Sequence, residues 1–474
     1  MITNKIIHIS ISFALSIFLS ACSLIDSKYE QPTAPMPTNW PKGEAYKEQL
    51  NPNINETLVW ENMILDEKLK EVIKIALKQN RSIKESIANI QSARAKYNVQ
   101  HAGEFPSIDA GVSGSKARSL NSSNTSKDTS SISENYKATV GLSSYELDFF
   151  GKARNLSKVD FESYLSIKEA QRVTKITTIA EVTNAWLTMA ADKSLLDFAK
   201  ETLNSSKKSL DIIQQRVNLG VDSKVTLYNV QTVYYQALSD IEKYKTQVAQ
   251  DLNALNLLVG QNVKEELLPS SLDENKEYLA TIPVGLSSKV LLNRPDILQA
   301  EHDLKAANAN ISVARAAYFP SISITTNAGI ASSALNNLFT GGAASIWSFV
   351  PSISLPIFDW GSKGASLDYA KSQRNLYIAK YELAIQTAFK EVSDALARYG
   401  TIENQLDAQK NLVAASKNSF FLSQRRYKSG IDTYLNALTS QRNLYNVEQN
   451  LISLRLAKIN NRVTLYRVLA NDDN

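Results

Sequence analysis

The chain has 474 residues, a length that usually accommodates several domains, yet it contains only 16 glycines and 12 prolines. Its formal net charge of +5 is small for this length and no dense basic block is present, which argues against nucleic acid as a partner. Because residues 107–268 and 357–474 contain no proline, long uninterrupted helices are expected in both stretches.

The N-terminus has the pattern of a secretory signal, in which Lys5 precedes an apolar run over residues 6–19. The run ends in Leu-Ser-Ala-Cys, which resembles the lipobox of bacterial lipoproteins. We therefore predict that residues 1–21 are removed as a signal peptide and that Cys22 carries a covalent lipid. By the same resemblance, Ser23 in place of aspartate favours the outer membrane. Cys22 is the only cysteine, so an intramolecular disulfide is impossible.

An internal repeat divides the mature chain. Phe-Pro-Ser-Ile at residues 105–108 recurs at 319–322, and Arg216 to Asp222 recurs as Arg426 to Asp432, both at a shift of about 210 positions. The sequence therefore predicts a tandem duplication. Its predicted parts are a lipid-anchored N-terminal segment (22–65), a first repeat (66–260), a linker (261–282), a second repeat (283–470) and a tail (471–474).

Each repeat is predicted to contain the same elements in the same order: a helix, two strands and a long helical hairpin. A polar stretch between the first two strands, from Leu120 to Glu134, is expected to be an exposed loop. The predicted helices run from Asp66 to about His101 and from Asp296 to about Ala317, the strands cover 105–119, 135–149, 319–331 and 345–358, and the hairpins cover 152–259 and 362–470.

The predicted strands have one apolar and one hydroxyl-rich face. Ile322 and Ile324 alternate with Ser321 and Ser323, and residues 136–142 alternate in the same way. Such a pattern suits a barrel strand between lipid and a watery lumen. A half-buried strand of a soluble sandwich has the same alternation, so the pattern alone leaves both open.

The predicted hairpins are unusually long. Residues 152–219 contain neither glycine nor proline, and one helix of that length would extend about 100 Å at 1.5 Å per residue. Gly220 is placed to end it, as Gly430 is in the second repeat. A structure that crosses a compartment needs such helices, although a coiled-coil scaffold without a pore would also contain them.

The strand count predicts an oligomer. No stretch after the signal reaches the 18 or so apolar residues of a transmembrane helix, so any membrane crossing must use strands. Backbone groups in a bilayer must all be paired, and four strands cannot close into a barrel. Three chains would supply twelve strands, and we therefore predict a homotrimer.

Together these features resemble the outer membrane factor family, the TolC-like and NodT-type lipoprotein channels of tripartite efflux pumps. The resemblance covers essentially the whole mature chain. It rests on the lipobox, Trp60, the repeated Phe-Pro-Ser-Ile, and the segments Leu292–Ile297, Pro356–Gly361 and Arg426–Arg442.

The family resemblance implies a mixed α and β membrane protein with a trimeric twelve-stranded β-barrel continued by a periplasmic α-helical barrel. It implies a passive exit channel and no enzyme. The implied partners are outer-membrane lipids, a periplasmic membrane-fusion adaptor and an inner-membrane transporter of the resistance-nodulation-division type. A channel for type I protein secretion is the nearest alternative, because both kinds of channel share these motifs.

The resemblance also implies roles for the hairpin tips and for one helix face beside them. Leu435 aligns with a leucine that constricts the family's aperture, and Arg442 with a nearby arginine. Thr439 stands where related channels often carry an aspartate, so the acidic ring expected from the family is in doubt. The tip residues implied in closure and adaptor docking are Gly220, Val221, Asp222, Gly430, Ile431 and Asp432.

Other chemistry finds little support in the sequence. His101 and His302 are interpreted as bystanders on helix faces, so no metal site is predicted. No catalytic residues are predicted, because the acid pairs have no partnering histidine or serine. Four methionines without a cluster also disfavour a copper or silver channel. The only cofactor expected is the lipid on Cys22.

Overall fold

The computed structural model describes residues 27–46, 59–121, 129–281 and 287–470, so Cys22 and the predicted signal lie outside the described residues. The strands are β1 (Ile108–Asn121), β2 (Thr129–Glu146), β3 (Ser321–Ser332) and β4 (Ala344–Ser354). The helices are α1 (Trp60–Met63), α2 (Glu67–Gln79), α3 (Arg81–Ala102), α4 (Lys152–Asn218), α5 (Lys224–Val259), α6 (Pro295–Ala316), α7 (Ser362–Lys428) and α8 (Tyr434–Leu469).

The structure contains the same order of elements twice, which confirms the predicted mixed α and β chain with two repeats. In each repeat a helix leads into two strands, and a 67-residue helix (α4 or α7) is followed by a 36-residue helix (α5 or α8). Both long helices run without a break. None of the helices within the described residues combines the length and apolar character needed to cross a bilayer.

The chain forms two compact units. The sheet unit contains the four strands and the helical residues next to them, within 91–166 and 300–380, together with the described N-terminal residues 27–32. The helical unit contains residues 33–90, 167–299 and 381–474, and therefore most of both hairpins.

The four strands form one antiparallel sheet in the order β1-β2-β3-β4. The register between β2 and β3 shifts once, between Leu142 and Tyr145, where Ser144 has a positive φ of 51°. This is a β-bulge, which bends a strand and increases its twist. Within the described residues, β1 and β4 are the edges of the sheet, and each pairs on one side only.

The predicted loop between the first two strands is wrong at both ends, because β1 extends to Asn121 and β2 begins at Thr129. The hydroxyl and guanidinium groups there bond across the strands instead of remaining free. The side chain of Arg118 donates to the Ser130 hydroxyl at 2.8 Å, and Ser133 donates to the Ala117 carbonyl at 3.4 Å. Polar composition therefore did not prevent strand pairing at an exposed sheet end.

The single helix predicted from Asp66 to about His101 is also wrong, because Asn80 divides it into α2 and α3. The Asn80 side chain accepts a hydrogen bond from the Ile83 amide at 3.0 Å, which caps α3. Its amide nitrogen donates to the Leu258 carbonyl at 2.6 Å. The break therefore fixes α2 and α3 to the end of α5.

The strands end earlier than predicted at the sides that lead into helices, at Glu146 rather than 149 and at Ser354 rather than 358. Aspartates begin the helices there. The carboxylate of Asp148 accepts hydrogen bonds from the amides of Ala153 and Arg154, and that of Asp359 accepts from the Lys363 amide. Carboxylates at helix N-termini are favourable because they satisfy free amides and oppose the helix dipole.

A buried arginine, Arg294, holds several helices of the helical unit together. It belongs to the Leu-Asn-Arg-Pro-Asp-Ile segment that was singled out in the sequence. The Arg294 guanidinium contacts both carboxylate oxygens of Asp296 at 3.0 and 2.7 Å, Glu391 at 3.0 Å and the Val468 carbonyl at 2.9 Å. Burial alone would lower the pKa of Arg294, but the two carboxylates outweigh it and raise the pKa. One side chain thus connects the start of α6, the middle of α7 and the end of α8.

Replacing Arg294 with Met should therefore destabilise the protein by about 3–5 kcal/mol, because two carboxylates would lose their buried partner. Denaturant unfolding of the purified chain, followed by circular dichroism, measures the change. Arg467→Met is the matched control, since Arg467 lies 4.0 Å from the same Glu391 but is 45% exposed. Its loss should cost less than about 1 kcal/mol. Equal costs for the two variants would contradict the assignment.

Candidate functional site

The sheet has two chemically different faces. Directly opposite residues of antiparallel strands point to the same face, and the pairs Ile322–Ile353 and Val140–Ala328 therefore define an apolar face. Six of its large side chains expose more than half of their surface: Ile108, Val112, Val140, Trp347, Phe349 and Ile353. The opposite face is polar, and its members include Asp109, Ser113, Lys137, Thr139, Asn327, Ser348 and Ser352.

Two glycines on the polar face allow β2 and β3 to approach each other closely. A Cβ atom added to Gly141 would lie 2.1 Å from the Thr326 carbonyl oxygen, and one added to Gly329 would lie 2.0 Å from that of Ala138. No other residue fits at either position without moving backbone. Glycines are used in this way where strands approach closely or a sheet turns a corner, as in barrels.

Different side chains mark the two ends of the apolar face: an ion pair at one end and aromatic rings at the other. At the loop end, Lys116 and Glu134 face each other directly and form an ion pair of 2.5 Å. At the helix end, each of the four junctions between strand and helix carries an exposed aromatic side chain. These are Phe105 before β1, Phe149 after β2, Tyr318 before β3, and Phe358 and Trp360 after β4.

The predicted hairpin turns have the expected backbone, since Gly220 and Gly430 have positive φ angles of 74° and 71°. At the first turn the Val221 amide donates to the Arg216 carbonyl at 2.8 Å, and the Gly220 amide donates to the Val217 carbonyl at 3.0 Å. The second turn repeats this pattern. The bonds are those of a Schellman motif, in which glycine at the left-handed position closes the helix.

A contact between the two turns was not foreseen from the sequence. The carboxylate of Asp222 accepts hydrogen bonds from Arg216 at 2.5 Å and from the Tyr427 hydroxyl at 2.7 Å. The Arg216 guanidinium also lies over the Tyr427 ring, 5.5 Å from its centre. Asp222, at the tip of the first hairpin, is therefore bound to the last helical turn of α7 in the second.

The electrostatics of this contact favour its ionised form. Burial alone would raise the pKa of Asp222, but the hydrogen bonds from Arg216 and Tyr427 hold it below its usual range. Burial and the bond to Asp222 raise the pKa of Tyr427 to about 12. The aspartate is therefore an anion and the tyrosine a neutral donor at any physiological pH.

The corresponding contact is different at the second tip. Asp432 accepts from Arg426 at 3.3 Å and from Asn436 at 2.7 Å, both on its own hairpin. The residue that corresponds to Tyr427 in the first repeat is Val217, which has no hydroxyl. In the sequence, this contact between the hairpins was indicated by Arg-Tyr in the second repeat at the position of Arg-Val in the first.

The three predicted aperture residues lie on one exposed face of α8, at spacings of four and three residues. Leu435 is 57% exposed in the single chain. The Thr439 hydroxyl donates to the Leu435 carbonyl at 2.9 Å, so it is bonded to its own helix. Arg442 donates to the Thr232 hydroxyl of α5, which adds a second contact between the hairpins. Their role at an aperture stays a prediction.

Among the described residues, no group of three or more histidine, cysteine, aspartate and glutamate side chains is arranged to hold a metal ion. His302 contacts Glu162 at 2.7 Å within the sheet unit, and His101 contacts Glu104 at 3.1 Å. Each of these two histidines therefore contacts a nearby carboxylate. The predicted lipid on Cys22 lies outside the described residues.

Comparison with known proteins identifies the family. The chain matches the family described as outer membrane efflux protein over residues 72–261 and 286–471. The chain belongs to the outer membrane efflux protein family. It is 42% identical over 462 residues to two Pseudomonas putida proteins, an antibiotic efflux pump outer membrane protein (ArpC) and a toluene efflux pump outer membrane protein (TtgC). Each match covers 97% of this chain and 94% of the relative.

Solved structures of this family have the same fold. The open state of the Neisseria gonorrhoeae MtrE outer membrane channel superposes with a TM-score of 0.82 at 31% identity. The match covers 94% of this chain and 97% of MtrE. As an outer membrane efflux protein, the chain is a transport component located at the outer membrane, which confirms the family predicted from its motifs.

The bond between the hairpin tips can be tested by Tyr427→Phe, which removes the hydroxyl and retains the ring. The change should cost about 1.5 kcal/mol, the lower range for a hydrogen bond to a charged group. Hydrogen exchange of residues 216–222 should become faster as the tip loosens. Tyr228→Phe on the exposed face of α5 is the control and should leave this exchange unchanged. Unaltered exchange in Tyr427→Phe would show that the hydroxyl does not hold the tip.

Proposed function

We propose that the chain is one of three identical subunits of an outer-membrane exit channel, through which an efflux pump passively discharges its substrates. The observation that carries the proposal is the sheet, which has an exposed apolar face, a polar face with close strand contacts at Gly141 and Gly329, and two edges that are unpaired within the described residues. Lipid fits the first face and water the second.

The open edges of the sheet favour closure with other copies. In a bilayer each unpaired N–H and C=O group costs several kcal/mol, so β1 and β4 need partners. A neighbouring copy can supply β4 to pair with β1, and repetition of that step closes a ring. Three copies give twelve strands, within the range of known outer-membrane barrels.

The dimensions of the apolar face support the same arrangement. From Ile108 to Lys116 the strand rises about 27 Å, which is about 20 Å along a barrel axis at the usual tilt. The aromatic side chains at the helix junctions extend this band toward the roughly 25 Å expected for an outer membrane. Aromatic rings at one border and an ion pair at the other suit the two membrane interfaces.

The other parts of the chain fit a periplasmic conduit. Three copies of both hairpins would form a helical tube that leads to the barrel, with the tips at Gly220 and Gly430 at its inner end. The proposed partners there are a membrane-fusion adaptor and an inner-membrane transporter of the resistance-nodulation-division type. In this proposal the transporter supplies the energy.

The proposed lipid anchor at Cys22 is compatible with the first described residues. Ser27, five residues later, donates from its amide to the Ser312 hydroxyl at 2.8 Å and accepts from the Asn308 side chain at 2.7 Å. Both partners are buried on α6, the helix that leads into β3. Ser27 is thus held on the helix that leads into the sheet proposed to enter the membrane.

Two other functions compete with the proposed one. A channel for type I protein secretion has the same predicted fold, but the relatives above are named for pumps of toluene and antibiotics, which supports small-molecule efflux. A coiled-coil scaffold without a pore would account for the hairpins. Such a scaffold would not account for the exposed apolar face of the sheet.

The proposal predicts a trimer in detergent by mass photometry and single-channel conductance in planar bilayers. Gly141→Ala should abolish both, because its Cβ would overlap the Thr326 carbonyl and force β2 and β3 apart. Gly111→Ala is the matched control on the same polar face, where an added Cβ meets nothing within 4 Å. A stable monomer that conducts ions would contradict the proposed trimer.

The proposed aperture has its own test. If Leu435 rings the narrowest point, an apolar constriction there excludes water and ions, so Leu435→Ser should raise the resting conductance. Thr439→Asp should add three negative charges and shift selectivity toward cations. Val140→Ser on the apolar face of the sheet is the control and should alter neither. Unchanged open probability in stable Leu435→Ser trimers would refute the aperture assignment.

A further inference from the structure

The two hairpins of one chain contact each other through different faces. Asp240, on α5 of the first hairpin, accepts a hydrogen bond from the Tyr445 hydroxyl of α8 at 2.8 Å. The Tyr445 ring also stacks on Phe198 of α4, with 5.1 Å between the ring centres. A groove beside this contact is lined by Thr202 of the first hairpin and Glu448 of the second. The first hairpin thus supplies an acceptor face (Phe198, Thr202, Asp240) and the second a tyrosine face (Tyr445, Glu448).

Each hairpin should carry both faces, because the two repeats are copies of one unit. At the shift of 210 residues, Tyr235 of the first hairpin corresponds to Tyr445, and Asn450 of the second corresponds to Asp240. A twofold contact would join Tyr235 to Asn450 within the chain. Both are exposed instead, Tyr235 by 58%. The contact is therefore heterologous, and it leaves the second pair of faces exposed in the single chain.

The exposed pair of faces is more apolar than the pair that meets within the chain. Leu238 stands on the tyrosine face of the first hairpin where the second has Glu448, and Leu412 stands on the acceptor face of the second where the first has Thr202. The two leucines are 40% and 47% exposed. Glu448 and Thr202 line one groove, so the same arrangement between copies places Leu238 against Leu412. Such a contact removes both side chains from water.

We propose that the tyrosine face of the first hairpin binds the acceptor face of the second hairpin in another copy of this chain. In that contact Leu238 packs against Leu412 of the other copy. The Tyr235 hydroxyl donates to the Asn450 side chain, which has an amide oxygen where the first repeat has a carboxylate. Heterologous contacts close into rings when the rotation fits, so the contact between copies alternates with the contact inside each chain. The number of copies rests on the proposed function, whereas the choice of residues does not.

The test cross-links the full-length protein in detergent with a short bismaleimide. Cys22 is the only native cysteine, so the wild type provides the background. Leu238→Cys combined with Leu412→Cys should give products of two and three times the chain mass on a denaturing gel. Neither single variant should give them, because one thiol of the contact is then absent.

Two further cysteine pairs are the controls. Thr202→Cys combined with Glu448→Cys reproduces the equivalent contact inside one chain and should give only an internally linked monomer. Leu412→Cys combined with Leu257→Cys should give no product. Leu257 is 78% exposed but lies about 28 Å further along α5 than Leu238, beyond the reach of the reagent.

A second measurement needs no cysteine. Leu412→Asp should lower the temperature at which the trimer dissociates in detergent without abolishing the trimer, because the strands also join the copies in the proposed channel. Asn450→Asp is the matched control, since it adds the same charge to the same face but installs the acceptor of the first repeat. It should leave the dissociation temperature unchanged or raise it.

The outcomes separate this surface from the proposed channel. If mass photometry shows a trimer but the Leu238 and Leu412 cysteines give no product, or only a linked monomer, the surface is overturned and the trimer stands. A monomeric wild type would refute both. A cross-linked trimer that does not conduct ions would refute the channel and leave the surface standing.

Discussion

The two open edges of the four-stranded sheet are the constraint on which the rest of the architecture depends. A sheet with one apolar face cannot remain in lipid while the backbone groups of β1 and β4 lack partners. Closure with further copies removes both edges at once and encloses the polar face. The glycines at 141 and 329 allow β2 and β3 to approach closely, which would suit the curved wall of the proposed barrel. In the proposed channel, oligomerisation would thus follow from the sheet itself and would not depend on a separate docking surface.

The broad fold could be predicted from the sequence because its signals are local and repeated. The lack of proline indicated the long helices, and the alternation of apolar and polar residues indicated the strands. Motifs repeated at a shift of about 210 residues related the two halves of the chain. The break at Asn80 could not be found in this way, since one of its stabilising partners is the Leu258 carbonyl, 178 residues away. The extension of β1 and β2 was also missed, because serine-rich composition indicates exposure and does not report hydrogen bonds across strands.

The candidate site could likewise be predicted from the sequence only where its signals are local. The sequence predicted that Gly220 and Gly430 end long helices, and their positive φ angles agree with that prediction. The bond from Tyr427 to Asp222 depends on how two hairpins pack, and residues 205 positions apart give no local signal for it. The same limit applies to Arg294, whose partners Glu391 and Val468 are distant in sequence. In each case the motif could be recognised in the sequence. Its stabilising contacts could be identified only from the tertiary structure.

The unequal hairpin tips have a consequence for symmetry. Three copies of a duplicated hairpin would present six nearly equivalent tips, and identical tips could move in any combination. The Tyr427 hydroxyl, which has no counterpart at Val217, pairs each first tip with the second hairpin of its own chain. In the proposed trimer, the sixfold pseudosymmetry would thereby be reduced to a true threefold, and the independent moving parts at that end would number three rather than six. Divergence after duplication would thus have halved the degrees of freedom of the proposed ring of tips.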